Sequence, residues 1–164
     1  MKRILLVASA ALAVAAYLAV SGAGAAPSSK AAFPNLKNPL FAVLKGSNEI
    51  RSATAPHGGD PNGRGSATVL AARQPNLICF AITVRGLGAP ILAHIHRGPA
   101  GVNGPVVVPF TAPTSGDPGA VSGCVTADPK LIKDIQQHPS EYYVNVHTTE
   151  FPGGAVRGQL ELAP

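Results

Sequence analysis

Glycine and proline divide this chain from Leu40 onward into short apolar pieces, and no other feature limits the fold as much. Proline breaks helix interiors and glycine weakens them, so the punctuation favours short strands joined by turns over long helices. LFAVLKG opens the series. GSATVLAA and NLICFAITV flank RQPN, a turn-like tetrapeptide with an internal proline, and read as a hairpin. PILAHIH, GPVVVPF and AVSGCVTA follow, and EYYVNVH with GAVRGQLEL closes the chain around TTEFPG as a second hairpin. The expectation is an all-β domain over residues 40–164: an antiparallel β-sandwich or Greek-key barrel of about eight strands. One short helix is expected near 129–138, with Asp128 as N-cap, Pro129 at the first helical position and Pro139 as the stop. Leu131, Ile132 and Ile135 give it one apolar side.

Strand parity then says which side chains share a face. In PILAHIH, Ile91, Ala93 and Ile95 take one face while Leu92, His94 and His96 take the other. In YYVNVH, Tyr142, Val144 and Val146 oppose Tyr143, Asn145 and His147. In AVRGQLEL, Val156, Leu160 and Leu162 oppose Arg157, Gln159 and Glu161. Burial of the apolar sets drives folding, so His94, His96, His147, Asn145 and Arg157 are expected on the outer surface of the sheet.

Histidines at i and i+2 on one strand face have backbones roughly 6.6–6.8 Å apart, within reach of a common ion at metal–nitrogen bonds of about 2.0–2.1 Å. His147 offers a third imidazole if its strand lies alongside, and the set His94, His96, His147 suits zinc or copper(II) with a position left for water. His57, in the Gly-rich APHGGDPNGRG segment, is a loosely placed fourth candidate, and His138 at the helix end looks unrelated. Two other readings stand beside the metal. A ring N–H donated to a carbonyl of GPAGVNG would order that loop without any ion, and the imidazoles could face a partner directly. Asn145 and Arg157 flank the trio, with Arg157 either pinning a turn or drawing small anions toward an ion.

The N-terminus bears on compartment. MKR followed by the uncharged ILLVASAALAVAAYLAV and the small-residue SGAGAAPSS has the layout of a secretory signal peptide over residues 1–25, with Ala23-x-Ala25 as the cleavage signal. An uncleaved anchor is the alternative, since the apolar run approaches the length of a span. Residues 26–39 read as a flexible tether. Cleavage would remove Lys2 and Arg3 and lower the formal charge from +5 to +3. With no tryptophan and few other aromatics, that excess is no nucleic-acid footprint, and no membrane span is expected after cleavage. In an oxidising compartment Cys79 and Cys124 are expected to form a disulfide, two buried thiols being the alternative.

LKGSNEI, GRGSATV, AHIHRGPAGVNGPVVV and YYVNVHTTEFPGGAVRGQLEL, in that order, resemble the CHRD domain family, named for the repeats of chordin. The likeness runs from about Leu40 to Leu162 and departs at NEIRSATAPH, where the family often has an N-E-V-P-P-like run. It implies a β-rich module of secreted, periplasmic or cell-surface proteins. A fainter likeness, the H-x-H strand with a further His and an Arg, is similar to copper/zinc superoxide dismutase. The acidic zinc ligand and histidine-rich loop of that family have no counterpart here, and a shared architecture does not confer the chemistry.

Familiar enzyme signatures are missing: there is no G-x-S-x-G, P-loop, dinucleotide fingerprint or zincin motif. Glu49, Asp60 and Glu150 fall in separate loops and offer no glycosidase-style carboxylate pair. The leading expectation is a non-enzymatic, secreted or envelope-associated binding module whose partner is an envelope or extracellular protein or polymer. The alternative is a copper or zinc protein that uses the three histidines for redox chemistry or metal handling.

Overall fold

The structure, a computed structural model, describes residues 39–162 apart from 54, 55, 57, 74 and 116. The expected signal peptide, most of the tether and His57 lie outside the described residues. The chain forms β1 (Leu40–Lys45), β2 (Arg64–Ala72), β3 (Leu77–Arg85), β4 (Pro90–Arg97), β5 (Val106–Phe110), β6 (Gly119–Thr126), α1 (Pro129–Gln137), β7 (Tyr142–Thr148), β8 (Val156–Gln159) and β9 (Glu161–Leu162). The all-β architecture expected from the punctuation is what forms, with the last apolar run split into β8 and the two-residue β9.

All strands join one sheet in the order β5-β4-β7-β8-β1-β2-β3-β6, with β9 paired to β1 and every pairing antiparallel. Both expected hairpins are present, β2–β3 around Asn76 at φ 64° and β7–β8 around the FPGG turn. The sheet curls until its far ends meet: Phe80 of β3 stacks on Phe110 of β5 at 4.0 Å between ring centroids. The result is a nearly closed barrel filled from β1 to β8 by residues such as Leu44, Val69, Ile82, Ile95, Val144 and Val156. α1 covers one opening with Ile132 and Ile135 fully buried. Its N-cap is the expected one, Asp128 accepting from the N–H groups of Lys130 and Leu131 at 2.7 and 3.3 Å.

The Cys79–Cys124 disulfide joins directly opposed positions of β3 and β6. Parity places the apolar sets inward with two exceptions. Ile91 is 48% exposed because the β4–β7 register slips between Pro90 and Leu92, where a bulge re-aims the side chain. Leu162 is 57% exposed because β9 runs past the last buried residue, Leu160.

Candidate metal centre

The outer face of β4, β7 and β8 carries the site. Cross-strand register sets His94 opposite Asn145 and Asn145 opposite Arg157, while His96 lies opposite Tyr143 and Tyr143 opposite Gln159. His147, two residues along from Asn145, faces Leu92 and sits diagonally from His94. The sheet thus gathers all three expected histidines, and each offers one ring nitrogen within 4.8 Å of the others. The ring centroids of His94 and His147 are 5.1 Å apart, those of His94 and His96 5.6 Å.

The expected exposure of this face is corrected by the structure. Arg157, Asn145 and His147 are 2%, 3% and 8% exposed, and His94 and His96 are half-buried. Parity turns these side chains away from the apolar core, but it does not deliver them to water. Three connections close over them: residues 98–105 between β4 and β5, 46–53 with 58–63 between β1 and β2, and 149–155 between β7 and β8. Gly104 lies so close to the end of β4 that a Cβ there would stand 1.6 Å from Arg97 O. Only glycine lets the first loop lie down this tightly.

Arg157 holds that loop. Its guanidinium donates to Asn103 Oδ1 at 3.1 Å, Pro99 O at 3.1 Å and Val102 O at 2.8 Å, and its Cζ sits 3.4 Å from the Tyr143 ring centroid. Tyr143 stacks on His96 at 4.7 Å with planes 6° apart, so the strand order β4-β7-β8 puts the tyrosine between the two. Burial lowers the pKa of Arg157, against the raising effect of Tyr143 and Glu49. Of the two roles weighed for Arg157, the geometry gives turn-pinning.

The loop carbonyls in turn orient two of the imidazoles. Nδ1 of His96 is 2.9 Å from Gly104 O, and Nδ1 of His147 is 3.0 Å from Pro152 O. A carbonyl only accepts, so Nδ1 carries the proton in both rings and each Nε2 is left with a free lone pair. Those two Nε2 atoms, together with Nδ1 of His94, are buried and without a hydrogen-bond partner. The loop-ordering and metal readings therefore do not compete, because each uses a different nitrogen of the same ring. A carbonyl behind one nitrogen and a lone pair on the other is the usual arrangement of a metal-bound histidine.

Electrostatics keep the lone pairs available. Burial, then the neighbouring His147 and His96, pushes His94 down to about 4. Burial also lowers His96 and His147, each partly offset by its carbonyl bond. Neutral imidazole is the metal-ligating form.

Spacing within the sequence did not reveal Glu49. It follows β1 in the β1–β2 connection, and its Oε1 accepts from Asn145 Nδ2 at 2.6 Å. Gly154 presses against the carboxylate, where a Cβ would stand 2.5 Å from Oε2. Burial raises Glu49 from 4.5 to about 8, against the lowering pull of Arg157 and the Asn145 bond. Asp60, expected in a separate loop, shares the β1–β2 connection with Glu49, since no strand forms between them among the described residues; it is buried and caps its own turn through the N–H groups of Asn62 and Gly63. His138 is apart from the trio, bonded to Asp134 at the end of α1.

Fold and site together define a small all-β barrel with a loop-covered cluster of three neutral histidines on one face. The CHRD domain model matches residues 40–160, and the chain belongs to that family. Searches of curated proteins and of solved structures return no match. No carboxylate joins the histidine cluster among the described residues, so the dismutase likeness is limited to the H-x-H strand and its third histidine.

Proposed function

We propose that this CHRD domain is an extracytoplasmic binding module whose ligand on the β4-β7-β8 face is one transition-metal ion, held by His94, His96 and His147. One observation carries the reading: three clustered histidines, each offering a ring nitrogen within 4.8 Å of the others, each have a buried ring nitrogen without a partner. Each buried polar atom without a partner costs about 1–3 kcal/mol, and a shared ion would satisfy all three at once. Tetrahedral ligands at bonds of about 2.0–2.1 Å stand about 3.4 Å apart, so the rings need to close by roughly an ångström.

The donor set is nitrogen only, which suits copper(II) or zinc and disfavours calcium or magnesium, whose ligands are oxygens. Copper(II) stands above zinc in the general affinity order and is the tighter ligand expected. Three protein donors leave a coordination position for water or for a donor from a partner. CHRD membership supports a binding module, and metal handling fits it without a catalytic step.

The test is calorimetric titration of the purified protein with copper(II) and zinc, with electron paramagnetic resonance of the copper form. One equivalent of ion is expected, with nitrogen hyperfine structure, lost in His94→Ala and His147→Ala and kept in His138→Ala. Stoichiometric binding that survives both triad substitutions refutes the site.

A further inference from the structure

A second surface continues the outer face on β1, β2 and β3, starting at Lys45, which lies opposite Arg157 of β8. Lys45 pairs with Arg64, and Arg64 with Arg85, so three cations occupy one row of three adjacent strands. All three are exposed. Strands lie about 4.8 Å apart, so the row spans roughly 10 Å. Like charges directly opposite one another destabilise a sheet. Among the described residues no carboxylate lies within ion-pair distance of the three, the only ion pairs being those of Asp134 with Arg97 and His138. The neighbouring carboxylate of Asp117 accepts from the Gly86 N–H instead. No ion pair among the described residues offsets that repulsion.

Beside it is an open cleft of about 390 Å³ lined by Arg64, Arg85, Ser66, Thr83, Val43 and Pro118, among others. Its volume falls in the range of small-molecule sites. Arg64 is already fixed in position, donating to Pro61 O and Gly63 O at 3.0 and 2.6 Å, so little of its mobility remains to be lost on binding. Ser66 and Thr83 share a hydrogen bond at 3.0 Å and present two hydroxyls in the next row. Val43 is 44% exposed beside them.

We infer that this cleft and its cation row bind an acidic polysaccharide, with the guanidinium groups on its carboxylates. Arginine's planar fork fits a carboxylate with two parallel hydrogen bonds. The hydroxyl pair matches sugar hydroxyls, and Val43 and Pro118 match the C–H face of a sugar ring. Repetition along a polymer lets Lys45 meet the next acidic unit. Nucleic acid is the poorer fit because single-stranded binding surfaces rely on aromatic stacking, and the cleft lining contains no aromatic side chain. The inference does not rest on the metal reading, since it uses none of the three histidines.

The test is binding of purified full-length protein to polygalacturonate oligomers at 150 mM salt, against neutral dextran, polyphosphate and a single-stranded oligodeoxynucleotide of equal charge. Polygalacturonate is expected to bind, dextran not. Lys45→Gln/Arg64→Gln/Arg85→Gln is expected to weaken binding at least 30-fold, and Ser66→Ala/Thr83→Ala about 3- to 10-fold at unchanged salt dependence. Thermal unfolding shows that each variant is folded. If the triple substitution disrupts the β1–β2 edge, the Arg85→Gln single variant serves and should lose about 5-fold. Absence of polygalacturonate binding, polyphosphate or oligonucleotide binding as tight as polygalacturonate, or no loss in the folded charge variants would each overturn the inference.

Discussion

Replacing each histidine of the cluster by leucine in chelator-treated protein separates a ligand from a structural side chain, because the three rings are held differently. Nδ1 of His94 is buried with no partner, so its removal breaks no hydrogen bond there and relieves a polar atom held out of water. Against this, edge contacts to His96 and His147 are lost, worth about 0.5–1.5 kcal/mol each by the usual measure for ring pairs. With about 1–3 kcal/mol recovered from the unpartnered nitrogen, His94→Leu should leave the metal-free protein within about 1 kcal/mol of wild type. His96→Leu removes the bond to Gly104 O and the stack on Tyr143. An orphaned carbonyl at about 1–3 kcal/mol, the lost stack and the lost edge contact to His94, less the same recovery of about 1–3 kcal/mol from its own unpartnered Nε2, predict a cost of about 2 kcal/mol. His147→Leu should fall between, at about 1 kcal/mol, since loss of the Pro152 O bond and of the edge contact to His94 is offset in part by relief of its unpartnered Nε2. For a domain of this size 1 kcal/mol moves Tm by about 4 °C, so His96→Leu should melt roughly 8 °C lower and His94→Leu nearly at the wild-type temperature. Scanning calorimetry in chelator, then with ion at a hundredfold excess over Kd, gives both readouts. Saturation should add about 2.7 kcal/mol to the wild type and nothing to His94→Leu. A metal-free His94→Leu protein as destabilised as His96→Leu would give that ring a structural task and refute this reasoning.

Acid should weaken the metal-free protein through the imidazoles. Their folded pKa values lie below 6.5, so the unfolded chain takes up protons first, and the stability held above pH 6.5 falls as pH drops toward about 4, where His94 titrates. Glu49 acts in the opposite sense: with its pKa raised from 4.5 to about 8, the stability it contributes is present below 4.5 and is lost as pH rises through about 8. Urea unfolding of Glu49→Gln should therefore gain on wild type steadily between pH 5 and pH 8, and a difference that does not change with pH contradicts the assignment. Cys79→Ala/Cys124→Ala should lose on the order of 4 kcal/mol by the chain-entropy model while keeping metal stoichiometry, because β3 and β6 carry none of the three histidines. Gly104→Ala should displace residues 98–104, since its Cβ meets Arg97 O, and should weaken metal binding at least tenfold in titrations of the folded variant.

Much of this was legible because two periodicities carry it. Gly and Pro marked the strand ends closely enough for both hairpins and the helix cap to be found where the residues indicate. Alternation placed His94, His96, Tyr143, Asn145, His147 and Arg157 on one side, a relation that pleating enforces wherever the opposite side fills a core. It failed only where the pleat itself is interrupted, at the bulge that exposes Ile91 and beyond Leu160, where β9 leaves the core.

What alternation cannot supply is the fate of the side opposite the core, and here the loops determine it. The segment 46–63 has no period, so nothing in its residue order places Glu49 against Asn145; the contact joins positions 96 residues apart. GPAGVNG announces a turn, yet only the folded chain shows that its carbonyls satisfy a buried arginine while Gly104 O holds His96. Covering the face is also what gives the histidines their character. In water each free nitrogen would bond solvent at no cost, and three imidazoles would be three weak bases. Under the loops the same nitrogens are neutral, desolvated and aimed at a common point, so the stability lost in burying them is available to whatever ion satisfies them together.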